Sequence, residues 1–122
     1  MRELTQQEKL NKFSNIDECP VRNIVSRFSG KWTMLVLCVL WECHPLRFNT
    51  IAKALPDISH KMLTDTLKKL EDDGMIQRTI YAEVPPKVEY SLTTLGESFM
   101  PHVESLVSWA MDNFDSISAG NR

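Results

Sequence analysis

The sequence predicts a mainly helical fold with one small β-hairpin, an α+β class in which helices form the body of a single domain. Three observations carry this prediction. Apolar residues recur at helical spacing along most of the chain, the segment 76–92 alternates with the two-residue period of strands, and prolines interrupt that alternation only near its middle. The length of 122 residues suits one hydrophobic core rather than two.

Composition and charge are those of an ordinary globular protein, with 43% hydrophobic and 25% charged residues. The net charge of -2 argues against a protein that coats nucleic acid indiscriminately, but it allows a local basic face. The longest apolar run, 34–41, is too short to cross a bilayer, and the N-terminus lacks the apolar core of a signal peptide. We therefore expect a cytoplasmic protein with no membrane partner.

The chain has three cysteines, Cys19, Cys38 and Cys43, an odd number without a CxxC pair. A structural disulfide framework is therefore not expected. Cys38 lies in an apolar helix and is predicted to belong to the core. Cys43 and His44 have no second pair at zinc-ligand spacing, so neither a metal nor another cofactor is expected.

The first predicted helix begins near Thr5, because Thr5 and Glu8 have the spacing of a capping box. Its apolar content is only Leu10 and Phe13, and a helix this short is marginal alone. We therefore assign 1–18 to an N-terminal arm that contacts a partner surface.

The next two helices have clear boundaries. Cys19-Pro20 begins a helix with an apolar stripe along 21–28, since proline is tolerated at the first helical position. Gly30 follows its end. The segment 31–42 is apolar nearly all round, which predicts the buried central helix of the domain.

A short strand is predicted over 46–48, followed by a helix that Asn49 caps. After a turn, Ser59 is the expected N-cap of a longer helix that ends near 73, where Gly74 is the C′ residue. Its leucines lie on one side and its polar residues lie on or near the other.

Two strands around Pro85-Pro86 predict a hairpin with a stiff exposed tip, and this tip would present the charge of Lys87 to a partner. Thr94 has capping-box spacing to its glutamate and predicts a last helix to about 117, which Pro101 should kink or split. The main domain is thus 19–117, with a disordered tail at 118–122.

Two helices joined by a tight turn and followed at once by a hairpin form a winged helix-turn-helix. In that arrangement the second helix enters the DNA major groove and the hairpin reaches across the sugar-phosphate backbone. The helix pattern alone also fits a small helical domain whose polar face only meets water. The hairpin placed directly after the helix favours nucleic acid.

Several short motifs together resemble the HxlR family of bacterial winged helix-turn-helix transcription regulators, which are similar to MarR-type proteins. The resemblance covers residues 19 to about 112, and it rests on Cys19-Pro20-Val21, Gly30-Lys31-Trp32-Thr33, Leu46-Arg47-Phe48, Ile58-Ser59, Leu63-Thr64, Leu67, Leu70-Glu71-Asp72-Asp73-Gly74 and 84–93. Two residues depart from the family pattern. Ser29 and Asp57 stand where the family commonly has glycine, and Asp57 places a negative charge beside the recognition helix.

The resemblance implies a recognition helix at about 59–71 and a set of residues that contact double-stranded DNA. The predicted DNA contacts are Lys31, Arg47, Ser59, His60, Lys61, Thr64, Lys68, Arg78 and Lys87. Arg47 either contacts DNA or pairs with an acidic residue. A solvated surface charge is the alternative for each cation, and it is a stronger alternative for Lys68 than for Lys61 or Lys87.

The last helix carries a wider apolar stripe than one small core needs, and the resemblance implies a homodimer formed through the terminal helices. The predicted interface residues are Leu10, Phe13, Phe99, Val103, Leu106, Val107, Ala110, Met111 and Phe114. Such a dimer would bind an inverted-repeat operator whose half-sites lie one or two helical turns apart, each turn roughly 34–36 Å.

Several regulators that resemble this family use a cysteine at the position of Cys19 to sense oxidants or electrophiles. The helix N-terminus stabilises negative charge at Cys19, whereas Asp17 and Glu18 oppose it, so the balance stays open. The alternative is a capping or half-buried thiol.

The predicted function is a dimeric, sequence-specific transcription regulator, a repressor rather than an activator. No nucleophile, base and orienting residue are grouped in the sequence, so an enzyme is not expected. Two alternatives remain: a winged-helix interaction module without specific DNA binding, and a regulator controlled by a small-molecule ligand instead of thiol chemistry.

Overall fold

The computed structural model describes residues 2–119, and side chains as far as residue 118. It confirms the predicted mainly helical fold with a two-stranded antiparallel hairpin. The elements, in chain order, are α1 (Gln6–Asn11), α2 (Pro20–Phe28), α3 (Lys31–Glu42), α4 (Phe48–Ala54), α5 (His60–Asp72), β1 (Ile76–Tyr81), β2 (Lys87–Leu92), α6 (Thr94–Asp112) and α7 (Phe114–Ala119).

The core forms around α3, as the nearly all-apolar sequence of that helix predicts. Val36, Leu37 and Leu40 of α3 are fully buried. Helix α3 packs against α4, α5, α6 and β2, so every element of the helix-turn-helix and the wing is held by it, either directly or through one neighbour.

Three predicted helix starts are confirmed by their side-chain caps. Thr5, Cys19 and Ser59 each accept a hydrogen bond from the backbone N–H three residues later, at 3.2, 3.4 and 3.0 Å. Such caps satisfy backbone donors that have no partner inside the helix. Gly74 follows α5 with φ of 79°, the left-handed conformation expected for a C′ glycine.

Two other predicted starts are wrong by one or two residues. Helix α4 begins at Phe48 with Arg47 as its N-cap, so Asn49 lies inside the helix. Phe48 packs against the core, and this burial fixes where the helix starts. The cap of α6 is Thr93 rather than Thr94, because the Thr93 hydroxyl accepts from a backbone N–H at 3.0 Å and also donates to the Gly74 carbonyl at 2.6 Å.

The wing is a hairpin whose register runs from Ile76 opposite Leu92 to Tyr81 opposite Lys87. The predicted strand at 46–48 is reduced to one bridge. The backbone groups of Leu46 and Tyr90 exchange two hydrogen bonds, of 2.8 and 2.7 Å, because the chain turns into α4 directly afterwards. This bridge ties the wing to the start of the helix-turn-helix.

The C-terminal helix is not split at Pro101, which lies inside α6. Pro101 and Glu97, the residue whose carbonyl loses its helical partner, are both exposed, so water can satisfy that carbonyl. The break falls at Asn113, whose side-chain amide donates to the Trp109 carbonyl at 2.9 Å. Helix α7 then extends to Ala119, beyond the predicted end at 117. Residues 120–122 of the predicted tail lie outside the described residues.

Within residues 2–119, no single helix has the length and apolar composition needed to cross a membrane. Helices α2 and α3 have that length and composition only when they are taken together, and the angle between them is 66°.

Candidate nucleic-acid interface

Helix α5 is fixed to the domain by one apolar face. Leu63, Leu67 and Leu70 are 0–2% exposed, and Thr66 is buried beside them. Because these positions recur every three or four residues, they orient the whole helix about its axis. The opposite face of α5 is therefore held towards solvent.

That solvent face carries the polar residues predicted to read DNA. Ser59, His60, Lys61, Thr64 and Lys68 are all exposed. The Thr64 hydroxyl donates to the His60 carbonyl at 2.8 Å, which leaves its oxygen free to accept a hydrogen bond from a base or a bound water.

His60 is oriented by a contact with the preceding helix. The centres of the His60 and Phe48 rings are 5.3 Å apart, with 53° between the ring planes. Phe48 is half-buried and packs against the core, so α4 helps to position the first side chain of α5. The two helices of the helix-turn-helix are thus in contact through Phe48 of α4 and His60 of α5.

Five of the six predicted lysine and arginine contacts are held in ion pairs that the sequence-based analysis did not identify. The pairs are Lys31–Asp57 at 3.5 Å, Lys61–Asp65 at 3.0 Å, Lys68–Asp72 at 3.8 Å, Arg78–Glu71 at 3.9 Å and Lys87–Glu89 at 2.8 Å. The first four pairs are largely exposed, and such pairs contribute at most about 1 kcal/mol to stability, whereas Lys87 and Glu89 are both half-buried. A phosphate group can therefore displace the carboxylates of those four pairs at small cost.

Lys87 is placed differently from its predicted position at the tip. It is the first residue of β2 and half-buried, and its ammonium lies 5.1 Å from the centre of the Tyr81 ring. Its hydrogen bond to Glu89 raises the pKa of Lys87, and the positive charge of Arg47 opposes that rise. Residues 82–86 form the exposed tip itself.

Arg47 is exposed at the N-cap of α4, and no carboxylate lies within 4 Å of it among residues 2–118. Its charge acts on Lys87 of the wing. The two predicted cations are therefore neighbours, although they are 40 positions apart in the sequence. Of the two alternatives for Arg47, an acidic partner is not present in the described part of the chain.

Lys31 lies at the start of α3, with its ammonium 4.4 Å from the centre of the Trp32 ring. Its pairing with Asp57 places the acidic residue that departs from the family pattern against a predicted phosphate contact. If Lys31 contacts DNA as predicted, the phosphate has to displace Asp57.

The predicted dimer residues fall into three groups, which are buried, half-buried and exposed in the single chain. Val103 is 2% exposed and packs in the core of its own chain, so its assignment to an exposed interface is wrong. Phe99 is half-buried, with its ring 5.3 Å from that of Phe28. Ala110 is intermediate, and the exposed members of the set are Leu10, Phe13, Leu106, Val107, Met111 and Phe114.

The three cysteines differ in exposure. Cys19 is 3% exposed and serves as the N-cap of α2, whereas Cys43 is exposed. Cys38 is half-buried; burial, followed by the charges of Glu42 and Glu104, raises its thiol pKa. Within residues 2–118 no group of three or more His, Cys, Asp or Glu side chains is arranged to hold a metal ion.

Comparison with known proteins agrees with this geometry. The family model described as HxlR-like helix-turn-helix matches residues 27–118. An uncharacterized HTH-type transcriptional regulator of Halalkalibacterium halodurans is 37% identical over 110 residues, which are 90% of this chain and 97% of that protein. The family is a class of transcription regulators rather than a class of enzymes.

Solved structures give the same result. A transcriptional regulator described as MarR family, from Porphyromonas gingivalis W83, has a TM-score of 0.70 and 38% identity, covering 92% of this chain and 99% of that one. The redox regulator HypR in its reduced form has a TM-score of 0.76 and 36% identity, covering 82% and 98%. Its oxidized form has a TM-score of 0.71 and 38% identity, covering 78% and 97%.

Proposed function

The chain belongs to the HxlR-like helix-turn-helix family of transcriptional regulators, and we propose that it acts as a homodimer that binds an inverted-repeat operator through α5. The observation that carries the proposal is the exposed polar face of α5, whose orientation is set by three buried leucines. The wing follows this helix after a short turn and adds Arg78 and Lys87 beside it. We expect repression rather than activation, and a cytoplasmic location, where such an operator is accessible.

Dimerisation is supported by apolar surface that the single chain leaves exposed. Leu106, Val107 and Met111 of α6 are 43–73% exposed, and Phe114 of α7 is 63% exposed. Contiguous exposed apolar residues of this kind are typical of protein interfaces. In α1, Leu10 is half exposed and Phe13 follows the helix, so both termini offer apolar side chains to a second copy.

We further propose that Cys19 makes the regulator responsive to oxidants. The support is its position and the similarity to HypR, which is described as a redox regulator and was solved in both redox states. The Cys19 sulfur accepts the hydrogen bond from the Arg22 N–H that begins α2. Oxidation of this thiol would alter that cap, and with it the start of α2.

The DNA-binding part of the proposal is tested by replacing two side chains of the α5 face. The Lys61→Ala/Thr64→Ala double variant should lose at least about tenfold in affinity for its operator and keep only sequence-independent binding, because the contacts to base edges are removed. Fluorescence anisotropy with operator and scrambled duplexes measures this. Lys9→Ala, an equal loss of charge in α1, should bind the operator normally, whereas retained specificity in the double variant contradicts the assignment of α5.

The redox part is tested with Cys19→Ser, in which the hydroxyl can still cap α2. Diamide should lower the operator affinity of the wild-type protein and leave that of Cys19→Ser unchanged. Cys43→Ser, at the exposed cysteine, should respond as the wild type does. An identical diamide response in wild type and Cys19→Ser would end the proposal for this residue and favour a small-molecule effector.

A further inference from the structure

A groove of about 470 Å³ lies between α3 and residues 100–112 of α6. None of the residues predicted to contact DNA lines it. It shares Val103, Val107 and Met111 with the predicted dimer set, so in the proposed dimer the second copy borders the groove on the side of α6. Its volume falls within the range of about 300–1,000 Å³ that is usual for small-molecule sites.

The charge of the groove has one sign. Three carboxylates line it, those of Glu42, Glu104 and Asp112, and the lining includes no lysine, arginine or histidine. None of the three carboxylates forms an ion pair in the part of the chain that the structure describes. The groove therefore attracts cations and repels anions.

The groove is lined by aromatic and apolar side chains as well as by carboxylates, so it can also contact the apolar part of an organic cation. The Trp41 indole N–H donates to Glu104 Oε1 at 2.8 Å, which holds an aromatic ring and a carboxylate together. Aromatic faces attract cations through the quadrupole of the ring. Met111, whose side chain is exposed, adds polarizable thioether surface to the same groove.

Cys38 also lines the groove, and its chemistry helps to identify the class of ligand. Burial, together with the charges of Glu42 and Glu104, raises the pKa of the Cys38 thiol. A thiol that stays protonated near neutral pH is a weak nucleophile, so covalent capture of an electrophile is disfavoured here. Reversible binding of a positively charged molecule is favoured instead.

We propose that this groove binds an organic cation with a flat apolar body, of the class represented by aromatic quaternary ammonium ions. The site goes beyond the proposed DNA-binding function. An occupant would contact α3, which packs against the recognition helix α5. The rival occupant is the N-terminal arm of a second copy, which carries Lys9 and Lys12 next to its apolar residues.

The binding experiment uses the full chain without DNA. Phenyltrimethylammonium is titrated by calorimetry, in parallel with its neutral isostere tert-butylbenzene and the anion benzoate. The cation should bind at least about tenfold more tightly than the neutral isostere, and benzoate should not bind. Equal binding of the neutral compound, or no binding of the cation up to about 10 mM, overturns the proposal.

Charge-removing variants locate the site. The Glu104→Gln/Asp112→Asn double variant keeps the shape of both side chains and should weaken cation binding about tenfold. Glu97→Gln removes one carboxylate from the exposed first turn of the same helix, outside the groove, and should leave cation binding unchanged. Equal loss in the double variant and in Glu97→Gln would mean that the cation responds only to net charge.

Two further measurements separate the possible failures. If Lys9→Ala/Lys12→Ala binds the cation and the wild type does not, the groove is occupied by the arm of a second copy and the proposal is wrong. Operator affinity is measured on the same samples. Intact operator binding without cation binding overturns only the groove, whereas cation binding without operator binding overturns only the proposed function.

Discussion

The two halves of α6 belong to one continuous helix, but their own chain buries only the first. The first half buries Gly96, Met100 and Val103. In the second half, the side chains of Leu106, Val107, Trp109 and Met111 are 43–73% exposed. A helix that changes from buried to exposed while remaining apolar contributes to two hydrophobic surfaces. The first is the core that supports the wing, and the second is the surface that we propose a second copy covers.

Substitutions in the two halves of α6 should differ most in their effect on stability at Gly96, where the helix lies closest to the backbone of another segment. A Cβ atom at Gly96 would lie 2.1 Å from the Met75 carbonyl oxygen, and backbone cannot give way as a flexible side chain can. Gly96→Val should therefore destabilise the domain by about 4 kcal/mol or more, or prevent folding. Ser105→Val, on the exposed second half, should change the free energy of unfolding by less than about 1 kcal/mol. Urea denaturation of both variants measures the difference, and a stable Gly96→Val protein would contradict the close packing.

Two methionines give a matched comparison within the helix. Met100 is 0% exposed and Met111 is 73% exposed. Met100→Ala leaves a cavity and should cost about 2–5 kcal/mol. Met111→Ala should cost less than about 0.5 kcal/mol in the monomer, because the exposed side chain of Met111 buries little apolar surface there. Denaturation at low protein concentration isolates the monomer, and equal losses would mean that the second half is also part of the core.

Leu106→Glu tests whether the second half of α6 forms the dimer interface. A charge at this position should raise the dimer dissociation constant at least about tenfold and leave the fold of each chain intact, because a buried unpaired charge disfavours association. Sedimentation equilibrium measures the dissociation constant, and circular dichroism checks the fold. A dimer of unchanged affinity would place the interface elsewhere.

Local signals in the sequence were sufficient to predict the first five helices and the hairpin of this fold, but not the separate helix α7. Ser59, the leucine spacing and Gly74 define α5 without any knowledge of its neighbours. The errors at the starts of α4 and α6 occur where distant parts of the chain meet, whereas the break at Asn113 involves a contact between residues four positions apart. The cap moves from Thr94 to Thr93 because the Thr93 hydroxyl donates to a carbonyl that lies 19 positions earlier in the chain. Helix α4 starts at Phe48, whose half-buried ring packs against the core.

The candidate site was predictable as a set of residues, but its electrostatics were only partly so. Lys61 and Asp65 are four positions apart on a helix, a spacing that indicates an ion pair in the sequence itself. The pair of Lys31 with Asp57 joins two elements, and only the folded chain brings it together. The exposure of the second half of α6 likewise depends on where the other elements pack, and helical periodicity does not predict that packing.

The measurement that tests the central claim most directly is binding to an operator with one or two intact half-sites. The operator is first selected from genomic fragments, and its affinity is then compared with that of the same duplex after one half-site has been scrambled. A dimer that reads DNA through two copies of α5 should lose at least about tenfold in affinity when one half-site is scrambled, and more when both are. Equal affinity for all three duplexes at the same salt concentration would contradict specific recognition by a two-fold dimer.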